Sequence, residues 1–122
     1  MASERRYKLE ISESQANVLV SALDLFSRIG LGQIEEVEKV AGNYNSSGTY
    51  DHNRVERLLH EVKLEMLGMA PHHSYGIMCP QVHEDFRIAW DIQQVVRDKI
   101  SHREWFSPER TAKVPLPVIE EV

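Results

Sequence analysis

The residues best suited to chemistry lie between Met69 and Arg97, where an irregular loop rich in His, Tyr, Cys and Pro leads directly into a periodic helix. A domain of 122 residues rarely keeps a long loop without regular structure unless the loop has a function. The loop offers aromatic and imidazole faces, and its glycine lets the backbone approach a ligand. Together with nearby arginines, which bind phosphate through two parallel hydrogen bonds, these groups suit a planar anionic ligand such as a nucleotide.

The candidate ligand site consists of this loop and three arginines. The candidate ligand-binding residues are Arg28, His73, Ser74, Tyr75, Gly76, Arg87 and Arg97. The tyrosine and the histidines can stack on a base, while the arginines can hold phosphate. In the alternative interpretation, Arg28 only stabilises the carboxyl end of its own helix and Arg97 is an ordinary surface residue. The residue types alone favour that alternative.

A second set of residues has the nitrogen and sulfur atoms that zinc prefers as ligands. The set is His72, His73, Cys79 and His83. However, the chain has one cysteine and no C-x-x-C pair, and neighbouring histidines seldom point towards one ion. We therefore expect solvated or ligand-facing histidines, and no metal or other cofactor.

A third set consists of acidic residues at helical spacing. Its members are Glu35, Glu36, Glu38, Glu61, Glu65, Glu84, Asp85 and Asp91. All-α nucleotide pyrophosphatases hold Mg²⁺ with an E-E-x-x-E helix followed by an E-x-x-D helix, and oxygen ligands suit that ion. Here Lys39 takes the last position of the first pattern, and Glu61 and Glu65 have the wrong spacing for the second. The favoured interpretation is a solvated acidic face.

A fourth pattern, R-x-x-x-x-H, runs from Arg97 to His102. HEPN ribonucleases carry such a motif on a helix of an all-α dimer. The motif allows four to six intervening residues, so Arg54 and His60, with five, form a second match. The numbers of arginines and histidines predict about one match by chance. The motif by itself does not indicate a ribonuclease, which is kept as an alternative.

The composition indicates one globular domain spanning residues 1–122. The hydrophobic fraction of 42% is ordinary, and no apolar run approaches the ~20 residues of a membrane span. A net charge of −5 argues against binding to nucleic acid polymers, so an anion site must be a local cluster of arginines. The single cysteine and the lack of an apolar leader favour a cytoplasmic protein.

The apolar periodicity predicts a mostly α-helical fold with long, kinked helices that assembles into a homo-oligomer. Ser12 and Gln15 have capping-box spacing and start the first long helix. Its apolar stripe ends near Ile29, where Gly30 and Gly32 kink or terminate it.

In the middle of the chain we predict a short helix, a turn-rich loop over Gly42–Gly48, and a third helix capped by Thr49 or Asp51. Both helices should turn an apolar face inward. The inward residues are Leu31, Ile34, Val37 and Val40 in the short helix, and Val55, Leu58, Leu59, Val62, Met66 and finally Met69 in the third.

The last long helix is predicted from about His83 to Arg103 and has apolar residues on more than one side. Its main apolar face is Phe86, Ala89, Ile92, Val96 and Ile100. Ser107–Glu109 predicts one further helical turn. The proline-containing tail should be extended and pair with Tyr7–Ile11, as an N-terminal/C-terminal two-stranded β-ribbon.

Two segments of the chain resemble a family of small phage and prophage proteins, the anti-Thoeris proteins that sequester cyclic ADP-ribose signals. These segments are SQANVLVSALDLFSRIGLGQIEEV and SYGIMCPQVHEDFRIAWDIQQVVR. The resemblance implies a homo-oligomer of kinked helices and a short β-ribbon, in which each dimer buries the signal molecule at its interface without cleaving it. Two ligand-binding arginines of the family fall on Arg28 and Arg97.

Family loop residues that enclose the adenine fall within Met69–Cys79, so the resemblance adds Met69 and Cys79 to the candidate site. Met69 stands where the family has an aromatic residue, which leaves Tyr75 or His73 as the stacking partner. Some family members also hold cyclic oligonucleotides at separate sites.

The function expected from these observations is that of a phage-encoded anti-defence sponge rather than an enzyme. It would bind cyclic nucleotide immune signals, of the glycocyclic ADP-ribose type with cyclic oligonucleotides as a second class, and sequester them. One alternative is a HEPN-like ribonuclease that uses Arg97 and His102. Another is an inhibitor that blocks a host defence protein directly through its acidic surface.

Overall fold

The computed structural model describes residues 4–45, 50–101 and 107–122. Within these ranges the chain forms four helices and no β-strand: α1 (Glu13–Gly30), α2 (Glu36–Asn45), α3 (His52–Leu67) and α4 (Glu84–Ser101). The prediction of a mostly helical fold is confirmed. The predicted ribbon is not formed within the described part of this single chain, where Tyr7–Ile11 and the C-terminal tail carry no strand pairing. None of the described helices combines the length and apolar character needed to cross a membrane.

α1 begins and ends where local signals predicted. The Ser12 hydroxyl accepts a hydrogen bond from the Gln15 amide (3.2 Å), and the Gln15 side chain accepts one from the Ser12 amide (2.8 Å). This is the predicted capping box. The helix stops at Gly30, and Gly32 has φ +88°, a left-handed conformation that turns the chain away from the helix axis. The two glycines therefore terminate α1.

α4 packs along α1, and this helix pair forms the core of the described chain. Phe86, in the first turn of α4, packs against Phe26 with ring centroids 4.9 Å apart, and it also covers Gly30 in the last turn of α1. The helices are therefore antiparallel. The buried residues of α4 are Ala89, Asp91, Gln93, Gln94, Val96 and Asp98. These residues point to different sides of α4, so the helix is buried on more than one side, as its apolar pattern predicted.

The close approach of Phe86 to α1 gives a first testable prediction. Gly30→Ala is expected to lower the free energy of unfolding by about 1–3 kcal/mol, although alanine favours helix formation. A Cβ at position 30 would lie 2.0 Å from Cγ of Phe86, so the ring or the helix must move. Urea unfolding followed by circular dichroism measures the change. Gly76→Ala is the control, because a Cβ there would meet Cys79 Sγ at 3.9 Å; equal loss in both variants would contradict the packing argument.

The start of α2 differs from the prediction. Residues 33–38 form tight turns in which an amide donates to the carbonyl three residues earlier, so the α-helix begins only at Glu36. These turns bury Ile34, and Leu31 is buried next to the end of α1. Val37 and Val40, by contrast, are 37% and 40% exposed, so the prediction that they face inward is wrong.

The connection between α2 and α3 is shorter than predicted. α2 continues to Asn45 and so occupies the first half of the predicted Gly42–Gly48 loop. Residues 46–49, including Thr49, lie outside the described ranges. Asp51 is the N-cap of α3, where its carboxylate accepts a hydrogen bond from the Arg54 amide at 3.2 Å. At the other end, Gly68 adopts φ +64° and closes the helix.

The apolar stripe of α3 is not buried within the chain, contrary to the prediction. Leu58, Val62 and Met66 are 48%, 42% and 67% exposed. Met69, just beyond the helix, is buried, and its sulfur lies against Gly32. The described chain therefore leaves most of the α3 stripe open to solvent.

The C-terminal segment is tied to α4 by a buried carboxylate. Asp91 accepts hydrogen bonds from the Thr111 amide (2.9 Å), the Thr111 hydroxyl (2.7 Å) and the Ala112 amide (2.9 Å). Asp91 is only 3% exposed, so its assignment to a solvated acidic face is wrong. Ser107–Glu109 does not form the predicted helical turn. α4 ends at Ser101, and Arg103 lies outside the described residues.

Candidate functional site

The loop between α3 and α4 is held by backbone contacts at both of its flanks. The Tyr75 amide donates to the Leu31 carbonyl at 2.8 Å, which ties the loop to the end of α1. The Arg87 guanidinium donates to the carbonyls of Ile77 (2.9 Å) and Cys79 (2.7 Å), which ties it to the start of α4. Arg87 therefore positions the loop, and its hydrogen bonds are directed at protein carbonyls.

The loop side chains divide into exposed and packed groups. His73, Ser74 and Gly76 are exposed, and Tyr75 and Cys79 are half-buried. The rings of His73 and Tyr75 lie 6.4 Å apart, so one flat ligand can reach both. Met69 is 3% exposed and its sulfur lies against Gly32, just after α1, which leaves it little surface for a ligand.

The three candidate arginines have different surroundings. Arg28 donates to Asp24 Oδ2 (2.9 Å) and to Gln33 Oε1 (3.1 Å), so its guanidinium is engaged near the end of its own helix. Arg87 holds the loop. The Nε of Arg97 is buried and has no hydrogen-bond partner among the described residues. Of the three, Arg97 has the clearest capacity for another partner.

Arg28 and Arg97 do not come together in one chain. The contact of Phe86 with Gly30 places the first turn of α4 beside the last turn of α1, where Arg28 lies. Arg97 is about 16 Å further along α4, at ~1.5 Å of rise per residue. Because the helices are antiparallel, Arg97 lies towards the beginning of α1. A pocket that uses both arginines therefore requires a second chain.

A surface cavity of about 550 Å³ lies between α2, α3 and the loop. Its charged and imidazole lining residues are Glu35, Glu36, Glu38, Lys39, His52, Glu56, Lys63, His72 and His73. His73 and Ser74 of the candidate site reach this cavity, whereas the three candidate arginines do not line it. The excess of carboxylates favours a cation there over an anion.

The floor of the cavity contains a buried ion pair that sequence reasoning missed. Lys63 is 1% exposed, and its Nζ lies 2.9 Å from Glu35 Oε1. Burial alone would raise the pKa of Glu35. The hydrogen bond from Lys63, a backbone hydrogen bond and the charges of Lys63 and His60 outweigh that effect and lower the pKa. Glu35 is therefore held in its charged form as the counterion of Lys63.

His52 joins α2 to α3 at the rim of the cavity. Its Nδ1 lies 2.6 Å from Glu38 Oε2, and its Nε2 lies 3.1 Å from Glu56 Oε2. The hydrogen bond with Glu38, supported by the charges of Glu38 and Glu56, raises the pKa of His52 above 6.5. The same hydrogen bond lowers the pKa of Glu38. Protonated His52 thus bridges two carboxylates.

This bridge predicts a pH dependence of stability. Because the pKa of His52 is raised in the folded state, its stabilising effect is complete below its ordinary pKa of 6.5 and is lost as pH rises through the raised value. Its side chain is 64% exposed, so the effect is small. Urea midpoints of wild type and His52→Ala should differ below pH 6.5 and converge as the pH rises well above that value. A difference that grows with pH would contradict this assignment.

The fold does not bring His72, His73, Cys79 and His83 together as one set of metal ligands. In the part of the chain that the structure describes, potential ligand atoms instead converge at Glu56, His60 and His72, all within 4.8 Å of one another. The E-x-x-x-H spacing on α3 was a signal in the sequence, since it places Glu56 and His60 on one helix face. Nothing local indicated that His72 would fold back onto that face.

The remaining acidic residues do not form the magnesium pattern. Glu61 and Glu65 are exposed on α3, and Asp85 is exposed in the first turn of α4. Glu84 accepts a hydrogen bond from the Lys113 amide. His102 of the ribonuclease-like motif lies outside the described ranges.

Comparisons with protein-family models, with curated proteins and with solved structures gave no match.

Proposed function

We propose that this protein is a phage-encoded, homo-oligomeric sponge that binds cyclic nucleotide immune signals and sequesters them without cleavage. The observation that carries the proposal is the buried Nε of Arg97, which has no hydrogen-bond partner among the described residues. A buried N–H group without an acceptor costs about 1–3 kcal/mol, and more for a charged group, so an acceptor from outside the described residues is favoured. A phosphate oxygen is the acceptor that suits a guanidinium best.

The proposed pocket lies between two chains. Arg28 and Arg97 lie at opposite ends of the helix pair, so two copies are needed to bring one of each to the same ligand. The exposed α3 stripe of Leu58, Val62 and Met66 supplies apolar surface for association. Tyr7–Ile11 and residues 113–122, which carry no strand pairing in the described part of the chain, would pair between copies as the β-ribbon. Ligands of the glycocyclic ADP-ribose type, and cyclic oligonucleotides as a second class, fit the charge and flat faces of this site.

Ligand capture tests the proposal directly. The protein is incubated with candidate cyclic nucleotides, separated from free ligand and heat-denatured, and the released compound is identified by mass spectrometry. Release of intact ligand is the expected result. Release of cleaved ligand would make the protein an enzyme. The absence of any ligand would overturn the proposal and favour an inhibitor that blocks a host protein. Light scattering should give at least twice the chain mass of 14.1 kDa.

Substitution of Arg97 is expected to weaken ligand binding about ten- to a hundredfold, because a charge-assisted hydrogen bond contributes roughly 1.5–3 kcal/mol. Arg97→Ala and Arg97→Lys should both lose affinity, since a lysine cannot reproduce the planar fork. Isothermal titration calorimetry measures the loss. Arg57→Ala is the matched control, because Arg57 is an exposed arginine on α3 that is not among the candidate ligand-binding residues. Equal affinities of the Arg97 and Arg57 variants would place the phosphate site elsewhere.

His102→Ala separates the sponge from the ribonuclease alternative. A sponge needs no general base, so this variant should bind the nucleotide as wild type does. If the wild-type protein cleaves RNA and His102→Ala abolishes that cleavage, the ribonuclease assignment replaces the sponge.

A further inference from the structure

We propose that Glu56, His60 and His72 form a binding site for a divalent transition-metal ion of the zinc type, at the edge of the acidic cavity. The proposal is independent of the nucleotide pocket. The three side chains come from two separate parts of the chain: α3 supplies the carboxylate and one imidazole, and the loop supplies the second imidazole.

The distances suit one ion. His60 Nε2 lies 3.9 Å from Glu56 Oε1, and His72 Nε2 lies 3.8 Å from the same oxygen. In a tetrahedral zinc site with bonds of about 2.0–2.1 Å, neighbouring ligand atoms are about 3.4 Å apart. The cluster must therefore contract by on the order of 1 Å, which rotation of the side chains provides.

A buried imidazole nitrogen without a partner points to a missing cation. His60 Nε2 is buried and makes no hydrogen bond within the described residues. It lies 3.7 Å from Glu35 Oε1 and 3.9 Å from Glu56 Oε1, too far for a hydrogen bond to either. A cation placed between the nitrogen and Glu56 would satisfy the imidazole lone pair and the carboxylate together.

The backbone at His72 is the second indication of a built site. His72 has φ +64°, and it is the one non-glycine residue with positive φ in the described ranges. Such backbone strain persists where the surrounding structure demands it, and it clusters at functional sites. The hydrogen bond from the His73 amide to the Ala70 carbonyl (3.2 Å) closes the turn. This conformation carries the His72 ring to 5.0 Å from the His60 ring.

The surroundings orient the carboxylate and favour positive charge. Glu56 presents Oε2 to His52 Nε2 at 3.1 Å, which leaves Oε1 for the two imidazoles. The charge of Lys63, on the cavity floor, is already paired with Glu35. Three protein ligands would leave a fourth position open, and two of the three, Glu56 and His72, line the same cavity as His73 and Ser74. An open position is typical of zinc sites that bind water or an exogenous ligand.

The ligand set selects the class of metal. Two imidazoles and one carboxylate suit Zn²⁺, Co²⁺ or Ni²⁺, whereas Mg²⁺ and Ca²⁺ prefer oxygen ligands throughout. Cys79 is not one of the converging residues. The site is therefore of the nitrogen and oxygen type, without thiolate.

Zinc titration with a matched pair of variants tests the proposal. Protein without a polyhistidine tag is stripped with a chelator, and Zn²⁺ binding is measured by competition with a chromophoric chelator. The expected result is one Zn²⁺ per chain with a Kd of about 10 µM or lower. His72→Asn should weaken binding at least about tenfold, and asparagine tolerates the left-handed backbone at this position.

His83→Asn is the control, because it removes another imidazole of the same loop. The asparagine keeps a side-chain acceptor for the Asp85 amide, which His83 Nδ1 now binds at 3.0 Å. This variant should bind Zn²⁺ as wild type does. No binding by wild-type protein, or equal binding by both variants, would overturn the proposal.

Cobalt substitution gives an independent readout of the ligand atoms. Co²⁺ bound at this site should show visible ligand-field bands and no sulfur-to-metal charge-transfer band in the near ultraviolet. The visible bands should disappear in Glu56→Gln, which preserves the size of the side chain. Charge-transfer absorption that is lost in Cys79→Ser would move the site to Cys79 and contradict the assignment.

Discussion

Replacing Glu35 by glutamine is expected to lower the free energy of unfolding by about 3–5 kcal/mol, because the substitution leaves Lys63 charged and buried without its counterion. Lys63 is 1% exposed, and its Nζ lies 2.9 Å from Glu35 Oε1. Glutamine keeps an acceptor oxygen of similar reach, so the loss reports the missing charge. Guanidinium unfolding, followed by circular dichroism with chelator present, gives the difference from wild type.

Glu36→Gln is the matched control for this experiment. Glu36 also pairs with a lysine, but Lys39 is 72% exposed and the ion pair is 3.1 Å long at the surface. Exposed pairs of this kind contribute about 0–1 kcal/mol. A loss in Glu35→Gln no larger than that in Glu36→Gln would show that water reaches Lys63 in solution.

A double substitution separates the loss of charge from the loss of packing. Glu35→Leu combined with Lys63→Met removes both charges and keeps apolar volume on the cavity floor. Replacement of a buried ion pair in this way is often neutral or stabilising. The double variant should therefore be more stable than Glu35→Gln. A double variant less stable than Glu35→Gln would contradict the explanation that an unpaired buried charge causes the loss.

Asp91→Ala is expected to release the C-terminal segment from α4 and to lower the free energy of unfolding by about 3 kcal/mol or more. Asp91 is 3% exposed and binds the amides of Thr111 and Ala112 as well as the Thr111 hydroxyl. Hydrogen bonds to a charged acceptor contribute roughly 1.5–3 kcal/mol each and are not fully additive. Removing the carboxylate also leaves the part-buried Thr111 amide and the buried Ala112 amide without this acceptor.

Hydrogen exchange distinguishes release of the segment from general destabilisation. The amides of Thr111 and Ala112 should lose protection in Asp91→Ala under conditions in which α1 keeps its own. Asp91→Asn should lose part of this protection, because its amide nitrogen is a donor and replaces one of the two acceptor oxygens. Asp85→Ala is the control on the same helix, since Asp85 is exposed and its loss should change stability by less than about 0.5 kcal/mol. Retained protection at Thr111 in Asp91→Ala would contradict the anchoring role.

Helix boundaries were the features most accessible to sequence reasoning, because their signals are local. The capping box of Ser12 and Gln15, the N-cap Asp51 and the stop at Gly30 each depend on residues within about four positions. The burial of α4 on more than one side was predicted in the same way, from apolar residues on several sides of this helix. The same local patterns did not predict the tight turns before α2, so the short helix begins later than its apolar pattern indicated.

The candidate site was only partly accessible to such reasoning. The loop from Met69 to Cys79 was identified by its composition, but the partners of its side chains depend on how distant segments pack. Arg87 donates hydrogen bonds to the loop carbonyls, and Met69 is buried against Gly32. Residue type alone cannot tell a ligand-binding arginine from one that holds a loop, since both offer the same donors.

Local sequence determined which segments are helices and where most of them begin and end, since helical hydrogen bonds and caps join residues a few positions apart. Tertiary structure alone decided which side chains meet. The antiparallel packing of α1 and α4 separates Arg28 from Arg97, and the turn at His72 returns that imidazole to Glu56 and His60. The tertiary packing also buries Asp91 and leaves Leu58 exposed. Burial depends on which segments pack against a helix face, and the apolar periodicity of one segment carries no information about the others.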